Sequence, residues 1–100
     1  MPDVNGDKTE GEIEEPIWRA AEKRGWWQCK VVSPTMRGLP DRLFIKGRPS
    51  RVSHRTVFLE IKKPGKEPTP QQQRRAKELR AHGVEVYWVD SVEAALVILT

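Results

Sequence analysis

The sequence predicts a single α/β domain, a mixed sheet of about four strands flanked by helices in the order α-β-β-β-α-β-α. Three observations carry this. Apolar residues recur at helical spacing near the start, two β-rich runs are joined by a polar connection, and a capped helix stands between strands. At 100 residues there is room for one hydrophobic core and not for two.

Residues 1–11 are polar and acidic and read as a loose lead-in, leaving 12–100 for the folded domain. Residues 12–24 predict a helix with Ile13, Ile17, Ala20 and Ala21 on one face, Pro16 early enough for a first turn, and Gly25 as the stop. Residues 26–33 are rich in aromatic and β-branched side chains and predict a strand closed by Pro34; residues 37–40 predict a turn. Residues 42–46 and 56–62 predict a β-hairpin, joined by the basic segment that holds Arg48, Arg51, His54 and Arg55. Thr69 caps a helix with Pro70 at its first position, running to about His82 and stopped by Gly83. Residues 84–89 predict a strand, and Ser91 caps a last helix carrying Val92, Ala95, Leu96 and Leu99. A helix between the third and fourth strands demands a right-handed crossover, so these two strands should run parallel.

Charge is unevenly spread. Residues 1–15 hold six acids and one base, whereas residues 16–100 hold 17 bases and 8 acids, a balance that favours a polyanionic partner. Arg74, Arg75, Lys77 and Arg80, with Lys63 and Lys66, form a basic stretch able to track phosphates or simply to be solvated. One cysteine, Cys29, excludes an intramolecular disulfide and suits a reducing compartment. Without an apolar stretch long enough for a signal peptide or membrane span, a cytoplasmic protein is expected. Trp18, Trp26, Trp27 and Trp88 suit a core or interface better than a stacking platform.

The most informative pattern is Pro40-Asp41 after a glycine turn, followed by Glu60-Ile61-Lys62. Alternation on a strand places Phe58, Glu60 and Lys62 on one face and Val57, Leu59 and Ile61 on the other. Hairpin pairing would bring Asp41 beside Glu60, two carboxylates aimed at one point. Mg²⁺ or Mn²⁺ takes oxygen ligands of this kind, the Ile61 carbonyl being a further one, and Lys62 would orient or deprotonate water. Alone, Glu-x-Lys on a strand also suits an exposed ion pair, and Asp41 suits a turn.

Gly38-Leu39-Pro40-Asp41, then Phe58-Leu59-Glu60-Ile61-Lys62-Lys63-Pro64-Gly65, then Pro68-Thr69-Pro70-Gln71-Gln72 resemble the successive motifs of the VRR-NUC domain, a branch of the PD-(D/E)xK nuclease superfamily. The resemblance spans nearly the whole chain and implies a compact nuclease domain that hydrolyses phosphodiester bonds with Mg²⁺ or Mn²⁺. It implies Asp41, Glu60 and the Ile61 carbonyl as metal ligands and Lys62 as the catalytic lysine. It also implies a glutamate from the first helix, Glu14 or the competing Glu15, and a supporting Gln72, with Ser33 and Arg37 near the substrate path. Small viral and bacterial members look like Holliday junction resolvases, which implies a homodimer acting on branched DNA. A flap or less selective endonuclease is the runner-up, and a non-cleaving nucleic-acid-binding module is the rival of a different class.

Overall fold

The computed structural model describes residues 9–47 and 54–100. Helix α1 (Glu10–Lys23) begins two residues before the predicted start, so Glu10 and Gly11 leave the expected lead-in. Thr9 is the cause: its hydroxyl accepts the Glu12 N–H, one of the donors a helix start leaves without a partner. Glu10 and Glu12 then suit the positive end of the helix dipole. The earlier start places Pro16 beyond the first turn, where its missing N–H forgoes one helical bond. At the far end Gly25, with φ of 93°, lets Trp26 N–H reach the Ala21 carbonyl and Gly25 N–H reach that of Glu22. Trp26 is therefore tied to the helix end, and the first strand starts one residue later than predicted.

The strands are β1 (Trp27–Lys30), β2 (Arg42–Gly47), β3 (His54–Ile61) and β4 (Glu85–Val89), adjacent in that order. The β1–β2 and β2–β3 pairs are antiparallel, and β3–β4 is parallel, as the crossover through α2 (Pro70–Ala81) requires. The expected hairpin is present, but β3 starts at His54, so His54 and Arg55 belong to the strand. Arg48 and Arg51 lie outside the described residues. Helix α3 (Val92–Ile98), capped by Ser91, completes the predicted order.

One sheet face carries the core. Phe44, Val57, Leu59, Ile61 and Val89 meet Ile13, Ile17 and Ala21 of α1 and Ala95 and Leu99 from the α3 end. The carbonyls at the negative end of α3 are gripped by cations: Arg24 donates to Leu96 and Leu99, and Arg55 to Ile98. Helix α2 covers part of the other face through buried Ala76, near Val86.

The turn before β2 is pressed against the start of α2. Gly38 has φ of 85°, and a β-carbon there would lie 2.9 Å from the Gln71 carbonyl oxygen. Arg75 fastens the same turn by donating to the Arg37 carbonyl at 3.0 Å. Gly38→Ala is therefore expected to cost about 1–3 kcal/mol through a disfavoured backbone conformation and a forced retreat of α2. Urea unfolding measures this, and an unchanged midpoint would remove the close approach.

Candidate active site

Alternation along β3 sends Val57, Leu59 and Ile61 into the core and leaves Glu60 on the opposite face, under α2. The β2–β3 register pairs Arg42 with Leu59, so Asp41, one residue earlier, comes level with Glu60. Asp41 Oδ2 accepts the Ile61 N–H at 2.7 Å, which fixes its carboxylate at the end of β3. Lys62 N–H donates to the Val89 carbonyl at 2.8 Å, continuing the parallel pairing and bringing Lys62 Nζ within 3.6 Å of Glu60 Oε2. The group sits at the carboxyl end of the parallel pair, where ligands settle in α/β sheets.

Glu60 is only 6% exposed. Its Oε2 receives Gln72 Nε2 at 3.1 Å, while Oε1 is buried and has no hydrogen-bond partner. Burial, and then the charge of adjacent Asp41, push the Glu60 pKa up to about 8 against the pull of Lys62. Gln72 is oriented by the helix it starts. Thr69 Oγ1 accepts Gln72 N–H while Gln72 Oε1 accepts Thr69 N–H, a reciprocal cap that leaves Nε2 for Glu60.

The structure thus brings together Asp41, Glu60, the Ile61 backbone, Lys62 and Gln72, and gives Glu14 other partners. Its Oε1 accepts Arg42 Nε at 3.0 Å and its Oε2 lies 3.8 Å from Lys30 Nζ. Consecutive residues Asp41 and Arg42 leave β2 on opposite faces, and Glu14 follows Arg42. Arg42 also donates to Gln28 and stacks over Trp18, so this cluster fastens α1 to β1 and β2. Glu15 pairs with exposed Arg19. The α1 carboxylate whose charge raises Glu60 is Glu10. Thr9-x-x-Glu12 before Ile13 is the helix-start pattern that admits Glu10 to α1.

Several basic residues also serve the fold. Arg55 makes a two-pronged ion pair with Glu85 at 2.8 and 2.9 Å, which raises the arginine pKa and lowers that of the glutamate. Arg75 holds the turn and Glu78, and Arg80 donates to the Val86 carbonyl. Ser33 accepts the Met36 N–H. Trp26 is buried as expected, whereas Trp27 and Trp88 are exposed.

The Asp41–Glu60 pair offers the oxygen donors that a hard divalent cation takes, and buried, unpartnered Oε1 of Glu60 fits such an ion. Among the described residues no three His, Cys, Asp or Glu side chains form a metal-binding group. A cation here would complete its shell with backbone, water or substrate oxygens, a pattern Mg²⁺ tolerates.

A relative from Acyrthosiphon pisum secondary endosymbiont phage 1, named "Putative nuclease p44", is 35% identical over 89 residues, spanning 89% of this chain and 90% of the relative. A solved structure described as a VRR_NUC domain matches with a TM-score of 0.75 at 27% identity over 90% of this chain and 92% of that one. The chain belongs to the VRR-NUC nuclease family. No family model matches the sequence. The expected order of motifs in a VRR-NUC nuclease therefore stands on the observed fold.

The raised Glu60 value has a consequence for stability. Between its ordinary 4.5 and about 8 the folded state of this VRR-NUC nuclease binds more protons than the unfolded state. Stability without divalent metal should therefore fall as pH rises through that window and level off above it. Glu60→Gln should flatten the melting-temperature profile measured in EDTA. A wild-type profile that is already flat would contradict the raised value.

Proposed function

We propose that this VRR-NUC nuclease is a Mg²⁺- or Mn²⁺-dependent DNA endonuclease that hydrolyses phosphodiester bonds in four-way Holliday junctions as a homodimer. The observation that carries the metal-dependent hydrolysis is the Asp41–Glu60 pair, with Glu60 buried, its Oε1 without a hydrogen-bond partner and Lys62 alongside. Asp41, Glu60 and the Ile61 carbonyl would hold the cation, which supplies a more acidic water and neutralises phosphate charge. Lys62 Nζ, near Glu60, holds the attacking water, takes its proton when neutral, and faces the charge that builds on the phosphate oxygens. Gln72 keeps the Glu60 carboxylate in one orientation.

Two considerations support junction cleavage by a dimer. The described residues form one carboxylate centre, and paired cuts in a four-way junction need two centres related by two-fold symmetry. Edge strand β1 and the segment after it leave Trp27, Val32 and Met36 exposed at 59%, 79% and 46%, apolar surface for a second copy to cover.

Labelled four-way junction, flap and linear duplex, each incubated with Mg²⁺, Mn²⁺ or EDTA, test the proposal. Paired cuts in the junction with either metal are expected, with no product in EDTA. Binding without product in any metal would defeat the reading. Lys62→Ala should slow cleavage by about 100-fold or more while junction affinity changes little. Sedimentation at the mass of one chain, with and without junction, would exclude the dimer. Glu10→Gln should raise the Mn²⁺ concentration needed for half-maximal cleavage. Glu14→Gln should instead lower the melting temperature and leave that concentration unchanged.

A further inference from the structure

A cavity of about 380 Å³ lies between α2 and β4, and the chemistry above makes no use of it. Glu60 and Gln72 form part of its lining, so it adjoins the carboxylate pair. Its walls are otherwise largely apolar, with buried Pro40, Pro68, Ala76 and Val86. Trp88 also lines it and is 52% exposed. The parallel register pairs Trp88 with Glu60 directly, so the indole and the carboxylate leave neighbouring strands side by side. Lys77 and Arg80 contribute positive charge to the same cavity. Among the described residues neither has a carboxylate within salt-bridge distance, and Arg80, which gives Nε and Nη2 to the Val86 carbonyl, keeps its positive charge beside the cavity.

We infer that this cavity receives one unstacked nucleobase of the substrate strand, next to the scissile phosphate. The base stacks on Trp88, and the adjoining backbone phosphate faces Lys77 and Arg80. The inference rests on the nuclease reading of Glu60 and names the nucleotide conformation that the site selects. The volume falls in the range of small-molecule sites. Enzymes that hold a base out of the stack do so between aromatic and apolar walls, and aromatic stacking accepts any base. The two cations complement a phosphate chain. A second copy of the protein seated here would cover Glu60 and close the carboxylate pair to substrate, so the occupant is nucleic acid. Such a pocket favours DNA with a loosely paired nucleotide beside the cut, as at a branch point, over continuous duplex.

The test uses the full chain in EDTA and a short single-stranded oligodeoxynucleotide carrying one 2-aminopurine. Binding should quench the probe through stacking, Trp88→Ala should weaken binding about tenfold and abolish the quench, and Trp88→Phe should retain most of both. In Mn²⁺, a junction with an abasic nucleotide beside the mapped cut should be cleaved about tenfold more slowly by the wild type, with no further loss in Trp88→Ala. Full quench in Trp88→Ala, or abasic and Trp88→Ala losses that multiply, would overturn the proposal. So would a change in sedimentation mass on Trp88→Ala, which would make the cavity an interface between copies. Cleavage indifferent to Trp88 and to the abasic nucleotide would leave the nuclease reading standing and remove this one. Trp88-dependent quenching without cleavage in any metal would do the reverse.

Discussion

Two carboxylates aimed at one point, one of them almost fully buried, set the terms for the rest of this structure. At the effective dielectric of a protein near its surface, like charges about 4 Å apart would repel by about 4 kcal/mol, and Glu60 answers by keeping its proton up to about pH 8. Asp41 and Glu60 are held against that repulsion by what surrounds them. The Ile61 N–H satisfies Asp41, while Lys62 and Gln72 meet one oxygen of Glu60. Behind the pair, Leu59 and Ile61 are locked in the core on alternate positions of the strand that delivers Glu60, so the carboxylate cannot turn away without unpacking it. Ionising both carboxylates therefore works against the fold.

The fold was legible in the sequence wherever a periodic pattern and a punctuating residue agreed. Thr69-Pro70 opened α2, Ser91 opened α3, and alternation in residues 56–62 assigned faces correctly. The parallel pair followed from a helix lying between two strands. The centre of the site was legible for the same reason, because strand alternation and hairpin pairing converge on Asp41 and Glu60. What the sequence left open was the choice among acids of α1. Glu10, Glu12, Glu14 and Glu15 are equivalent as letters, and the difference lies in a partner across the fold: Arg42 takes Glu14, a contact between residues 28 positions apart. Basic residues were indistinct in the same way. A charge count treats Arg24, Arg55 and Arg75 as available to a polyanion, yet each is bound to carbonyl or carboxylate oxygens of the chain itself.

The cluster around Arg42 shows how little separates structural from reactive charge in so small a domain. Asp41 and Arg42 are neighbours in the chain, and a strand turns them to opposite sides of the sheet. One reaches the carboxylate centre, and the other joins Glu14, Gln28 and Trp18 beneath α1. A slip of one residue in the β2–β3 pairing would exchange them, placing a guanidinium beside Glu60 and a carboxylate against the helix. The hydrophobic alternation of β2 and β3 therefore specifies the electrostatics of the site as well as the core.

Gln72 serves two masters, the start of α2 and the carboxylate of Glu60, through the two ends of a single amide. At the third position of such a helix cap, glutamate and glutamine are ordinarily interchangeable, since either offers the oxygen that returns to the cap residue. Here they are not. The oxygen is committed to Thr69, and what remains must be a donor, because a second anion in place of Nε2 would face Glu60 across about 3.1 Å. The identity of a residue that looks like a matter of helix propensity is thus dictated from outside the helix. The first turn of α2 cannot fray without releasing Glu60, so the part of a helix that is ordinarily most mobile becomes the part on which the orientation of a buried carboxylate depends.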